Sequence, residues 1–246
     1  MIREQPDAFL LELPDGREIR VRLSINPRAT RVSVRIDPRT REPVATAPRS
    51  RDIGRAAAFA ADRADWIVAA LDRMPKFVPF EPGGRVLLRG ESHVLVHAEG
   101  RGAWRIMDGK PPLLVVPAPD GHAFPGRVRR MLQKEAERDV TLAVKRYAGK
   151  LGLRHGAIRI KDAASRWGSC SAAGDLAFSW RLILAPPFVL DYVAAHEVAH
   201  LKEMNHSPRF WALVRAAYGE SRKAKDWLRR HGHELHAYGR SPADGR

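Results

Sequence analysis

Two histidines four residues apart, with a third six residues further on, constrain this chain more than any other feature: His196-Glu197-Val198-Ala199-His200, then His206. Residues four apart lie one turn apart on the same helix face, so His196 and His200 can aim their imidazoles at one ion. Six more residues of unbroken helix would turn His206 about 240° away from that face. If all three act together, the helix stops between His200 and His206.

The sequence supplies that stop. Asn205 can adopt the left-handed conformation that ends a helix, and Ser207 and Pro208 read as the N-cap and first position of the next one. Three neutral imidazoles leave the fourth tetrahedral position of a zinc ion open to water, and Glu197, beside the ion rather than on it, is placed to take a proton from that water. The competing account makes His196 and His200 ordinary residues of an amphipathic helix and His206 a loop residue.

A series of blocks surrounds the motif. Ser165-Arg166-Trp167-Gly168-Ser169-Cys170-Ser171 precedes Trp180-Arg181-Leu182, and Asp191-Tyr192-Val193 leads into His196-Glu197. Asn205-His206-Ser207 then runs to Phe210-Trp211. This ordered series resembles the YgjP-like metallopeptidase family, which is related to the SprT-like zincins. The resemblance implies a zinc-dependent peptidase domain with His196, His200 and His206 as metal ligands and Glu197 as catalytic base. Two positions depart from related patterns. Glu203 stands where metzincins carry Gly, which argues against a metzincin turn, and Ser179 stands where relatives are expected to carry Asn before Trp-Arg-Leu.

The expected fold class is α+β. An N-terminal antiparallel β-rich region with one helix, residues 1–120, precedes a zincin-like core, residues 121–240, and a tail, residues 241–246. Alternation at Ile19-Val21-Leu23 and Val32-Val34-Ile36, with turns at Pro14-Asp15-Gly16 and Asn26-Pro27, predicts the first strands. A helix is expected from Ser50 or Asp52 to about Arg73, with Phe59, Trp66, Ile67 and Leu71 near one side. Strands follow around Val86-Leu88, Val94-Val96, Trp104-Ile106 and Leu113-Val116, and Pro117 to Gly126 reads as a linker. Arg127 to Lys150 carries apolar residues at three- and four-residue spacing and predicts a long helix. A strand near Ile158-Ile160, a hairpin through Gly174 into Leu176 to Leu184, and a helix opened by Pro186-Pro187 complete the frame.

Minor candidates fill out the site. Arg166 and Tyr192 are candidates for contact with the transition state or substrate, although Tyr192 also fits a packing role. Trp167 and Gly168 read as structural, Cys170 as a small buried residue, and His231-Gly232-His233-Glu234-Leu235-His236 as a polar tail with incidental histidines.

The formal net charge of +15 attracts phosphate polyanions and raises nucleic acid as a partner beside the expected protein or peptide substrate. Arg20, Arg22, Arg31 and Arg35 form a basic strand face that suits either nucleic acid or solvent. No segment approaches the length of a membrane span, and Met1 to Pro6 lacks the apolar run of a signal peptide. One cysteine excludes an internal disulfide and fits a reducing cytoplasm. Two alternatives to a peptidase stay open: a nucleic-acid-binding protein with a structural zinc site, and a metal-dependent hydrolase of a non-peptide bond. A closed structural site would have no use for Glu197 as a base.

Overall fold

The computed structural model describes residues 3–5, 7–13, 16–37, 40–163 and 166–240. The expected turn residues Pro14 and Asp15, the block residue Ser165 and the tail 241–246 lie outside them. The chain forms two compact units that divide between Lys76 and Phe77.

In the first unit, alternating sequence builds a five-stranded sheet from β1 (Arg3–Gln5), β2 (Ala8–Glu12), β3 (Glu18–Ile25), β4 (Ser33–Ile36) and β5 (Pro43–Ala47), in the order β1-β2-β3-β5-β4. The sheet is antiparallel except between β3 and β5, which run parallel because β4 folds back onto the outer edge of β5. The helix expected to run unbroken to Arg73 is two: α1 (Ile53–Ala61) and α2 (Ala64–Asp72), preceded by a 3-10 turn at Ser50–Asp52. The break at Asp62-Arg63 lets Ala56, Ala60 and Ile67 all enter one core with Phe9, Val21 and Ala45. Trp66, placed on the same side by spacing, is instead 44% exposed.

The second unit opens with a four-stranded sheet, order β6-β7-β9-β8, of β6 (Arg85–Leu88), β7 (Glu91–Glu99), β8 (Arg105–Met107) and β9 (Leu113–Ala118). Arg89 and Gly90 form the two-residue turn between β6 and β7, both with positive φ, as a tight hairpin requires. A non-glycine residue is uncommon in that region. Here Arg89 is held by a fork to Asp139 (2.7 and 2.9 Å) and a bond to Glu135 (2.6 Å).

Residues 117–126 are not a linker. Pro117 and Ala118 close β9, Asp120 accepts a bond from the backbone of Ala123, and α3 (Phe124–Leu151) begins at once. The sheet belongs with that helix because Leu95, Leu114 and Val116 share a core with Val128 and Leu132. The helix ends at Gly152, whose φ of 63° lets Leu153 donate back to Ala148.

The remaining elements frame the site: a three-stranded sheet, order β10-β12-β11, of β10 (Ile158–Lys161), β11 (Gly168–Cys170) and β12 (Leu176–Ser179), then α4 (Pro187–His200), α5 (Pro208–Tyr218) and α6 (Arg222–Leu235). The strand expected over 176–184 stops at Ser179. There the Ser179 hydroxyl accepts from the backbone of Arg181 and starts a 3-10 turn, Trp180–Leu184, with every side chain buried. Serine at this position supplies the cap that Asn would. The stretch expected as a polar tail is the last turns of α6: Gly232, Leu235 and His236 are buried. The whole is α+β, with six helices and small mixed sheets among the described residues. No helix among them is long and apolar enough to cross a membrane.

Candidate metal centre

Helix α4 opens on Pro186-Pro187, whose fixed φ suits the first turn, and buries Val189, Val193, Ala194 and Val198 against its neighbours, chiefly α3 and α5. That packing decides which way the last turn faces. His196 and His200 lie one turn apart on a partly open face, their rings 4.9 Å from centre to centre.

The chain then leaves the helix without the left-handed Asn205 that the sequence invites: no described non-glycine residue of this region has positive φ. Lys202 and Glu203 both donate to the carbonyl of Ala199, which winds the end tighter, and His200 Nδ1 donates to the carbonyl of Glu203 at 3.0 Å. An imidazole thus closes the helix end. Ser207 is the N-cap of α5, its hydroxyl accepting from the backbone of Phe210 at 3.3 Å, and Pro208 is the first helical residue. His206, immediately before that cap, swings back so that its Nε2 lies 3.1 Å from Nε2 of His196.

The three histidines each offer a ring nitrogen, all within 4.8 Å of one another. A tetrahedral cation with arms of about 2.0–2.1 Å would separate its nitrogens by roughly 3.3 Å, close to what His196 and His206 already show. A carbonyl can only accept, so the bond to Glu203 fixes the proton of His200 on Nδ1 and leaves Nε2 a free lone pair. Burial, with help from His200 and His206, pushes His196 down to about 4 and keeps it neutral at pH 7. The donor set therefore fits a divalent metal.

Glu197, the residue after His196 on the same helix turn, is 6% exposed. Strand β11 passes so near it that a Cβ on Gly168 would fall 2.5 Å from Glu197 Cγ. Burial raises its carboxyl to about 7, opposed by the charge of Arg166. A bound cation would act in the same direction as Arg166.

Of the minor candidates, Arg166 is exposed at the rim of a cleft of about 250 Å³ that Gly168, Ser169 and Ser179 also line. Tyr192 is 7% exposed, with its ring edge-on to both His196 (5.9 Å) and Tyr218 (5.7 Å). Cys170 is half-buried, donates to the carbonyl of Ser171, and stands outside the histidine cluster. Trp167 packs as expected, stacked on His236 at 5.1 Å.

Two residues near the site carry more than their sequence positions suggest. Phe210, fully buried, sets its ring 4.4–4.8 Å from all three imidazoles, and Trp211 stacks on His206 at 5.8 Å. The signal for Phe210 is its place four residues after His206, across the Ser207 cap. Arg181, 1% exposed, donates to the carbonyls of Leu235 and Tyr238 (2.7 Å each) and to Asp162 (2.9 Å), tying the 3-10 turn to the end of α6. No sequence spacing points to that tie.

Two imidazoles and a buried carboxylate on α4, met by a third imidazole just before α5, accompany a family match that places the protein in the class of metallopeptidases, hydrolases that depend on a divalent metal. The chain belongs to the YgjP-like family: residues 30–231 match the model of the YgjP-like metallopeptidase domain. It is also similar to a solved structure, the metallopeptidase zymogen of Pyrococcus abyssi abylysin, with 24% identity over 39% of this chain and 94% of that one and a TM-score of 0.35. No curated protein matches it.

Proposed function

We propose that the protein is a zinc peptidase in which His196, His200 and His206 hold the ion and Glu197 is the general base. The observation that carries this reading is the convergence of three imidazoles on one point while Glu197 is kept buried on the same helix turn. Bound zinc would supply Lewis acidity, polarising the scissile carbonyl and making water a better nucleophile at neutral pH. Glu197 takes the proton of the attacking water on its carboxylate and returns it to the departing amine.

Arg166 is exposed and close enough to act electrostatically on Glu197, so it is assigned to the developing oxyanion or to the substrate. Tyr192, enclosed between His196 and Tyr218, is assigned to positioning the His196 ring. Strand β11 is at the edge of its sheet, and its outer backbone offers an extended peptide a strand to pair with beside Glu197. A single cysteine suits work in the reducing cytoplasm.

The test compares wild type with Glu197→Gln and His206→Ala on an unfolded protein substrate, with elemental analysis of each. Glu197→Gln should retain about one equivalent of zinc and lose cleavage by about 10²–10⁴-fold. His206→Ala should lose the metal. Undiminished cleavage by Glu197→Gln, or wild type that takes up no zinc on replenishment, overturns the assignment.

A further inference from the structure

The basic strand face that the sequence offers to nucleic acid is already neutralised. Arg20 pairs with Glu42 and Asp7, Arg22 with Glu42 and Asp37, and Arg35 with Asp37. The fourth member, Arg31, is different: it has no carboxylate partner among the described residues and faces a groove instead.

Two adjoining grooves of the first unit, about 570 and 800 Å³, share Arg31 and Arg55 in their walls. The first adds Arg49 and Arg51 from the approach to α1, and the second adds Arg63 from the break between α1 and α2. All five arginines are exposed and none makes an ion pair among the described residues, while Asp52 and Asp62 are the carboxylates lining the grooves. Five guanidinium groups that make no ion pair among the described residues, lining two adjoining grooves, concentrate positive potential there and attract an anion.

The second groove also has aromatic walls. Trp66 is 44% exposed, and Phe59 already carries the guanidinium of Arg63 over its ring at 5.1 Å. An exposed indole beside a track of arginines is what stacking of an unpaired base requires, and a duplex, whose bases are already stacked, cannot use it. We propose that these grooves bind single-stranded nucleic acid, its phosphates along Arg31, Arg49, Arg51 and Arg55 and a base on Trp66.

The experiment measures fluorescence anisotropy of a labelled 20-nucleotide oligo-dT with the full chain across a salt series, with the same length of duplex DNA and poly-glutamate as comparisons. Wild type should prefer the single strand at least tenfold. Arg49→Glu with Arg51→Glu should weaken binding more than tenfold and flatten the salt dependence by about one unit of log-log slope for each phosphate no longer neutralised. Trp66→Ala should weaken single-strand binding about fivefold or more while leaving the salt slope unchanged.

Circular dichroism checks each fold, and Arg31→Gln with Arg55→Gln serves as a milder pair should the reversals fail to fold. Peptidase activity on unfolded protein should be unchanged in all of them. Equal binding of single strand and duplex with a silent Trp66→Ala overturns the proposal, as does poly-glutamate affinity matching that of oligo-dT or unaltered affinity in the arginine variants.

Discussion

Gly168 and Glu197 share a space that has no room for a methyl group: a Cβ at position 168 would lie 2.6 Å from Oε1 of Glu197. The three atoms nearest that point all belong to Glu197, so a side chain there is accommodated only by moving the carboxylate. Gly168→Ala should therefore lower kcat about 10–100-fold, as a misplacement of about 1 Å does, with metal content and melting temperature close to wild type. Steady-state kinetics beside elemental analysis and a thermal melt would test this; wild-type kcat in the variant refutes it.

Removing the metal should destabilise the fold. An ion that binds only the native state adds about 2.7 kcal/mol when present at roughly a hundred times its dissociation constant. Chelator should lower the melting temperature of wild type and leave that of His206→Ala unmoved. A chelator effect of equal size in both proteins would place the bound metal somewhere other than the histidine cluster.

Ser207 caps the start of α5 one residue after His206. Ser207→Ala should lose about 1 kcal/mol of stability through the missing cap and also weaken zinc binding, whereas Ser207→Asp should preserve both. Urea melts and competition with a zinc indicator separate the two effects. Unchanged zinc affinity in a destabilised Ser207→Ala would show that His206 is held by other means, such as Trp211.

Burial lowers the Arg181 guanidinium to about 10 even beside Asp162, which marks how fully it is withdrawn from water. Arg181→Ala should cost about 3 kcal/mol, because the carbonyls of Leu235 and Tyr238 lose the donor they share and Asp162 loses one of its arginines, keeping Arg240. Denaturant unfolding measures it, and a loss under about 1 kcal/mol would mean that water replaces the guanidinium.

The convergence of the three histidines is legible in the sequence because it is local. His196 and His200 are set by helix periodicity, His206 by the cap at Ser207-Pro208, and each signal lies within a dozen residues. The long helix and most strands are legible for the same reason. Elsewhere distant partners decide. Asn205 does not need to turn left-handed because His200 itself bonds Glu203. Leu176 to Leu184 reads as strand until Ser179 is seen capping a buried turn that Arg181 ties to residues more than fifty positions away. His231 to His236 looks like polar tail until Trp167 is found stacked on His236. The division between Lys76 and Phe77 is not marked locally in the sequence, because β6, β7 and β9 find their core on α3 and no local composition records that partnership.

His196 and His200 close one helix and His206 introduces the next, so a shared ion would be a rivet across the joint as well as a reagent. Occupancy and local order would then rise and fall together. A peptidase that loses its ion would loosen first at residues 201–206, and the same stretch that ceases to work would become the stretch most open to hydrogen exchange and to cleavage by its neighbours.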